Sequence, residues 1–281
     1  MQNVIAIVFD FDDTLAPDST SSFLKSLGID IKKFWSVEVQ ALIEKDWDPI
    51  PAYLYKMIER SKSASPMVIT KEMFINHGKR LKFHPGVNTV FNQLKKSLTK
   101  AHPKLILEFY LISSGILDIV KSTKIAHQFT SMWACDFEYN KKGEIIFPKK
   151  IVSFTDKTRY IFQISKGIYG ADAFGKPFEV NKKVAEDDLR IPLDQMIFVG
   201  DGYTDIPCFS LLKKNGGCAI GVYDKKEKQK WGRAWGFIDQ GRVSNLVSAN
   251  YSKDSDLSNS LAMAIEGIAS KISLKKRTYQ R

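Results

Sequence analysis

The stretch VIAIVFDFDDT, Val4 to Thr14, sets six apolar residues directly before three carboxylates within four positions. A continuous β-branched apolar run reads as a strand buried on both faces, the kind found in a parallel sheet with helices on each side. Ligands of open α/β sheets bind beyond the carboxyl ends of the strands, and the acids fall at that end. Asp10 and Asp12 are two apart, so in extended backbone they point the same way. Close carboxylates repel unless a cation or a shared proton relieves them. The stretch therefore predicts both a fold and a charged site at its edge.

Outward from it, further apolar runs occur at Leu105–Ile112 (interrupted by Glu108), Met132–Cys135, Met196–Val199 and Cys218–Val222. Helical patterns such as Val87–Leu98 and Lys157–Lys166 fall between them. This alternation predicts an α/β fold with an open parallel, Rossmann-like sheet. Residues 18–81 differ, with four helix-like segments and no strand. Phe34, Val37, Leu42 and Ile43 suggest one apolar face, and Tyr53, Leu54, Met57 and Ile58 another. Gly28, Pro49, Pro51 and Pro66 punctuate them. A small helical domain inserted at 18–81 is expected, leaving 1–17 and 82–281 as the α/β core. Residues 136–147 predict a hairpin turning at Lys141-Lys142-Gly143. Residues 224–281 are expected to add sheet-edge and helical packing, with the last eleven, five of them basic and none acidic, fraying.

The run Met196–Val199 leads into Gly200-Asp201-Gly202-Tyr203-Thr204-Asp205. Asp10, Asp12, Asp201 and Asp205 then converge on one sheet edge, an oxygen-rich set that suits Mg²⁺ better than zinc. Helix capping explains one acidic cluster well; two clusters after two buried strands are harder to explain that way. Leu105–Ile112 ends in Ser113-Ser114-Gly115, where hydroxyls and backbone N–H groups can meet a phosphate, although Ser before a helix is commonly an N-cap. Lys157 opens a helical pattern behind Thr155 and Asp156 as plausible caps. Among 42 basic residues its default reading is a solvated surface lysine.

Taken together the motifs resemble the haloacid dehalogenase (HAD) superfamily, specifically phosphatases of the phosphoserine-phosphatase type with a helical cap after the first motif. The matching positions are VIAIVFDFDDT, a strand ending in Ser113, Lys157, and GDGYTD from Gly200 to Asp205. The resemblance spans roughly residues 4–223 in order of elements. It implies Asp10 as a nucleophile that forms an aspartyl-phosphate, and Asp12 as general acid and then base. It implies Mg²⁺ held by Asp10, the Asp12 backbone carbonyl and Asp201, with Asp205 orienting that shell and Thr14 orienting the first motif. Ser113, with Ser114 and Gly115, and Lys157 are implied to bind the phosphoryl oxygens. Asp13 stands where Gly or Ser is commoner and receives no chemistry. Phosphoserine phosphatases carry a Glu nine positions after the nucleophile; here that position is Ser19, with Asp18 beside it.

The implied function is a Mg²⁺-dependent phosphomonoester hydrolase acting on a small phosphorylated metabolite. A phosphomutase on the same constellation, or a non-catalytic binding module, is an alternative. With Lys and Arg at 42 against Asp and Glu at 31, the net charge of +11 raises a nucleic-acid end phosphatase as a further alternative. Against it, the lysines are dispersed over residues 95–100, 141–150, 225–230 and the tail, without an aromatic-interleaved stripe. Cys135, Cys208 and Cys218 form no close pair, favouring a reducing compartment. No apolar run approaches the roughly 20 residues of a membrane span, so a cytoplasmic protein is expected. Oligomeric state is not legible.

Overall fold

Strand β1 (Val4–Phe9) lies at the centre of a seven-stranded sheet in the computed structural model, which describes residues 2–64, 67–225 and 236–278. Pro66, Lys226, Lys228, Lys230 and Arg281 lie outside the described residues. The other strands are β2 (Ile106–Ile116), β3 (Ser131–Tyr139), β4 (Ile145–Lys150), β5 (Met196–Gly200), β6 (Cys218–Tyr223) and β7 (Asn245–Ser248). Their order is β4-β3-β2-β1-β5-β6-β7, all parallel except the β3–β4 pair. The connections that lead into β2 and into β5 place these strands on opposite sides of β1, so the crevice at the carboxyl ends opens beside it.

Every β1 side chain is buried, and alternation divides them between two cores. Val4, Ala6 and Val8 pack on one face with Ile161, Phe198 and Phe209. Ile5, Ile7 and Phe9 pack on the other with Phe91, Leu94, Leu261 and Ile268. Burying one Val or Ile stabilises by about 1.5–3 kcal/mol, so a single strand anchors both layers. The first face carries helices α7 (Asp156–Lys166) and α8 (Ile206–Lys214); the second carries α5 (Val87–Ala101) and α9 (Asp256–Thr278), and the short α6 (Leu117–Lys121) follows β2.

The four segments of residues 18–81 are helices α1 (Ser19–Ser26), α2 (residues 31–43), α3 (Pro49–Lys62) and α4 (Lys71–Arg80). The apolar face expected for the second needs correction. Val37 is 58% exposed, while Phe34 and Val39, five apart, are buried. The helix takes a π turn over Phe34–Val39, and one extra residue per turn moves the inward face off the 3.6 period.

Met132–Cys135 and the hairpin are one device. β3 is a nine-residue strand that pairs parallel with β2 and then antiparallel with β4. In the turn, Asn140 Oδ1 accepts the N–H groups of Lys142 and Glu144, and Gly143 has φ +77°. The helical insertion is strapped to this hairpin. Lys71 N–H donates to Gly143 O at 2.9 Å, Ile145 N–H to Ile69 O at 3.1 Å, and the Phe74 and Phe137 rings stack at 5.8 Å.

At the far edge β7 and α9 supply the packing expected of the C-terminal region, and residues 271–278 of the tail expected to fray are helical, while 279–281 lie outside the described residues. α9 continues to Thr278; Ile265, Ile268, Ala269 and Ile272 form a buried stripe, and Lys275 pairs with Asp194 at 2.7 Å. That apolar face outweighs the basic composition. Thr155 makes no side-chain cap to α7, another departure from expectation. The three cysteines are unpaired. No helix among the described residues is long and apolar enough to cross a membrane.

Candidate active site

The pairing of β1 with β5 runs on into Asp10, whose N–H donates to Val199 O at 2.9 Å. The chain then turns over buried Phe11, with Leu15 N–H on Phe11 O at 2.8 Å. Asp13 sits in the turn at φ +57°. Left-handed backbone favours Gly, and Asp is among the few side chains that tolerate it. The residue that departs from the family pattern therefore meets the backbone demand of its position. Thr14 is buried; its carbonyl accepts the Tyr251 hydroxyl at 3.0 Å, and its own Oγ1 makes no hydrogen bond.

Asp12 lines the cavity at the carboxyl end of β1. Its Oδ1 accepts the Ser19 N–H at 2.8 Å, the first residue of α1, so the capping reading describes one oxygen of this acid. Its Oδ2 lies where a Cβ on Gly115 would come within 2.5 Å. Only a residue without a side chain lets β2 pass so close. Burial, reinforced by Asp18, lifts the Asp12 carboxyl well above the ordinary range, although Ser19 opposes the shift.

Lys157, on the first turn of α7, is wholly buried. Its Nζ lies 3.0 Å from Asp10 Oδ1 and 2.7 Å from Asp205 Oδ1. Burial opposes its charge, but the Asp10 and Asp205 carboxylates outweigh that and raise its pKa. The surface reading of this lysine is corrected. Other lysines near it in the sequence have partners of their own: Lys149 pairs with Asp136, and Lys166 donates to the Val180 and Lys182 carbonyls. Asp205 is equally buried and its second oxygen accepts the Gly202 N–H at 3.0 Å, which fixes the loop that carries Asp201.

Carboxylate oxygens of Asp10, Asp201 and Asp205 fall within 4.8 Å of one another. Burial and then the Asp205 carboxylate push Asp10 up to about 7, with Lys157 pulling the other way. Burial, then Asp10 and Asp205, also raise Asp201. Asp10 Oδ1 is buried, with the Lys157 ammonium 3.0 Å away. Three acids that share a single ammonium keep an excess of carboxylate oxygens, a donor set that fits a hard divalent cation such as Mg²⁺.

From β2, Ser113 is buried and its Oγ accepts the Gly115 N–H at 3.0 Å; Ser114 Oγ is buried and makes no hydrogen bond. Asp10, Asp12, Asp201 and Ser113-Ser114-Gly115 line one cavity of about 430 Å³, roofed by α2 and α3. Two tyrosines escaped the sequence reading. Tyr53, assigned to an apolar face, lines this cavity and donates to Ser114 O at 2.6 Å. Tyr251, beyond the motifs, ties the C-terminal region to Thr14. No spacing signal marks either.

No family model matches the chain. It is similar to an uncharacterized protein of Borreliella burgdorferi, 27% identical over 293 aligned positions that take in 92% of this chain and 95% of that one. Among solved structures it is similar to a HAD family hydrolase of Salmonella enterica serovar Typhi, with TM-score 0.56 and 14% identity over 87% of this chain. The chain spans 66% of that hydrolase, just under two thirds of its length. A phosphoserine phosphatase in a phospho-aspartyl intermediate analogue aligns at TM-score 0.53 and 16% identity, over 92% of this chain and 98% of that one. A probable phosphoserine phosphatase of Vibrio cholerae aligns at TM-score 0.56 and 11% identity, over 95% of this chain and 67% of that one. At such identities the likeness is one of fold. The chain has the HAD-type α/β fold.

Proposed function

We propose that the chain is a HAD-type phosphatase, a Mg²⁺-dependent phosphomonoester hydrolase, with residues 18–81 as the cap over residues 1–17 and 82–281. The observation that carries this reading is the buried Lys157 held between Asp10 and Asp205 at the carboxyl end of β1, beside Asp201. One lysine answers three acids there, and a site that receives a cation and a phosphoryl group needs that excess of carboxylate.

Asp10, Asp201 and the backbone carbonyl of Asp12 would hold the Mg²⁺, which supplies charge neutralisation for the transferring phosphoryl group. An Asp10 carboxylate oxygen attacks phosphorus, the ester P–O bond breaks, and Asp12 gives its proton to the departing alkoxide. The raised pKa of Asp12 suits that donor role. Water then attacks the aspartyl-phosphate, Asp12 takes back a proton, and inorganic phosphate leaves with Asp10 regenerated. Lys157 and the Ser113-Ser114-Gly115 segment face the phosphoryl oxygens, where fixed donors stabilise developing charge. Asp205 acts through Lys157 and Gly202, as a positioning residue.

The cavity volume of about 430 Å³ fits a small phosphorylated molecule, and a roof of α2 and α3 disfavours a duplex end. The test is phosphate release from p-nitrophenyl phosphate with Mg²⁺. Turnover that falls by several orders of magnitude in Asp10→Asn is the expected result. Near-normal turnover by that variant overturns the covalent reading.

A further inference from the structure

The two ends of the cavity differ in chemistry. Asp10, Asp12 and Asp201 stand at the reacting end, and Asp13 lies near enough to Asp201 for its charge to act there. Asp18, although on the wall, serves as the N-cap of α1. Its Oδ1 accepts the Ser21 N–H at 2.8 Å and its Oδ2 the Ser21 hydroxyl at 2.5 Å. The surface contributed by the cap is of another kind. Trp35, Val39 and Ile43 from α2 and Pro49, Ile50 and Tyr53 from α3 form it, and Thr20 and Gln40 add polar but uncharged atoms.

Trp35, Val39 and Ile43 follow one another at intervals of four. In an unbroken α-helix each such step advances about 40° around the axis, and the row drifts off any one wall. The π turn over Phe34–Val39, where the Gln40 N–H bonds to Trp35 O five residues back, turns less per residue and cancels part of that advance. The distortion that leaves Val37 exposed thus keeps three apolar side chains in line along the cavity. The wall is also braced. The Trp35 ring lies 5.5 Å from that of Tyr53 and meets Phe34 edge-on at 5.1 Å. Trp35 Nε1 donates to Ser21 Oγ at 2.8 Å, and the Tyr53 hydroxyl to Ser114 O at 2.6 Å. With both donors engaged, what the two rings offer a ligand is apolar surface. Trp35, Ile43 and Pro49 are only partly buried, and apolar surface open to a cavity gains from being covered.

We propose that α2 and the start of α3 select phosphomonoesters of uncharged alcohols with an apolar, ring-bearing body, which lies along Trp35, Val39, Ile43 and Ile50. The proposal rests on the phosphatase reading and assigns the substrate class of that same site. A charge of either sign at the far end of the leaving group is drawn out of water against this wall, a cost that apolar surface does not offset.

Three benzyl phosphates of similar shape decide it, with a methyl, a carboxylate or an aminomethyl group at the para position. Their alcohols depart with similar ease, so differences among them report contacts at the far end. The expected result is kcat/KM at least about tenfold higher for the methyl ester than for either charged one, the discrimination typical of an apolar pocket. Phosphoserine and glycerol phosphate should fall below it. Ile43→Lys sets an ammonium on the wall and should reverse the order of the methyl and carboxylate esters. Trp35→Leu should lower kcat/KM for the methyl ester chiefly through KM, and Trp35→Phe should restore part of it. Binding of 2-(4-methylphenyl)ethylphosphonate, which cannot be hydrolysed, gives a readout free of turnover. Calorimetry should show a negative heat-capacity change that shrinks in Ile43→Lys. Equal kcat/KM across the three esters overturns the proposal, as does preference for a charged one or an order that survives both Ile43→Lys and Trp35→Leu. Turnover of p-nitrophenyl phosphate without turnover of the methyl ester overturns it and leaves the hydrolase reading standing. No turnover of any ester with Mg²⁺, aryl phosphate included, overturns the hydrolase reading and this proposal with it.

Discussion

Lys157 Nζ and Asp205 Oδ1 meet at 2.7 Å with neither side chain exposed, and the same ammonium stands 3.0 Å from Asp10. The two acids lie 195 positions apart in the chain, after β1 and β5. The lysine arrives from a third direction on α7, so this pair closes the packing of the first sheet face at its carboxyl end. Truncating one partner of a buried pair leaves an uncompensated charge, at a cost of about 3–5 kcal/mol. Lys157→Met should lower the urea-unfolding free energy by that amount and lower phosphate release as well. An unchanged unfolding midpoint would show that the lysine contributes no net stability where it stands.

Glu108 interrupts an otherwise apolar strand and carries a pH prediction. Burial alone would raise its pKa, but the Arg190 guanidinium, with both nitrogens on its carboxylate, holds it below the usual range. A lowered folded pKa contributes stability above the unfolded value, lost as pH falls through the folded one. Arg190 is about one-third exposed, so the contribution is discounted to about 1 kcal/mol. Wild type should exceed Glu108→Gln in stability at pH 7, and the gap should close below about pH 4. Urea midpoints across that range provide the measurement, and a gap that widens in acid contradicts the sign.

Legibility in the sequence followed from how many independent constraints each residue carries. β1 was readable because burial on both faces forces a continuous apolar run, and Asp10, Asp12, Asp201 and Asp205 because acids rarely follow such runs twice. Lys157 was obscure for the opposite reason: its identity is common, and burial comes from partners 147 residues before it and 48 after. The π turn in α2 hid the true inward face by breaking the period that the eye follows. Tyr251 was invisible because its side-chain hydrogen bond crosses 237 residues. The tail misled because its charges are plain while the stripe through Ile272 runs on from residues outside it.

Gly115 marks the closest approach of β2 to the first motif. A methyl there would lie 2.5 Å from Asp12 Oδ2 and 3.2 Å from Ser113 Oγ. Gly115→Ala must displace the Asp12 carboxylate, the part of the neighbourhood able to move. The expected cost is about 1–3 kcal/mol of stability, as for other overpacked sites. Turnover of alkyl phosphates should drop by more than tenfold. Steady-state kinetics beside a urea titration separate these effects, and full turnover would mean that the carboxylate position is not critical.

Mg²⁺ should bind the resting protein as well as the reacting one. At a hundred times its dissociation constant it adds about 2.7 kcal/mol to stability. Its presence should therefore raise Tm, and Asp201→Asn should remove most of that rise. EDTA should abolish turnover and Mg²⁺ restore it, with Ca²⁺ a poor substitute because its larger shell holds oxygens less rigidly. A Tm indifferent to Mg²⁺ together with full turnover in EDTA would be incompatible with the role given to Asp201.

Asp12 offers the sharpest test, because only one of its two oxygens accepts the Ser19 N–H. Oδ1 accepts the Ser19 N–H at 2.8 Å, which Asn can reproduce, so Asp12→Asn should keep the start of α1 and the fold intact. The proton that the raised pKa retains is lost in the amide. Alkyl phosphates, whose alkoxides need that proton to depart, should then suffer far more than p-nitrophenyl phosphate. With the aryl ester the first displacement still runs while the base-assisted hydrolysis of the intermediate stalls. A burst of about one nitrophenolate per enzyme is expected before turnover slows. If Asp12 only caps α1, its replacement shifts stability by typically ~1 kcal/mol or less and treats both esters alike. Equal fold-losses on the two substrates without a burst would remove Asp12 as the proton donor and leave it the Ser19 contact alone.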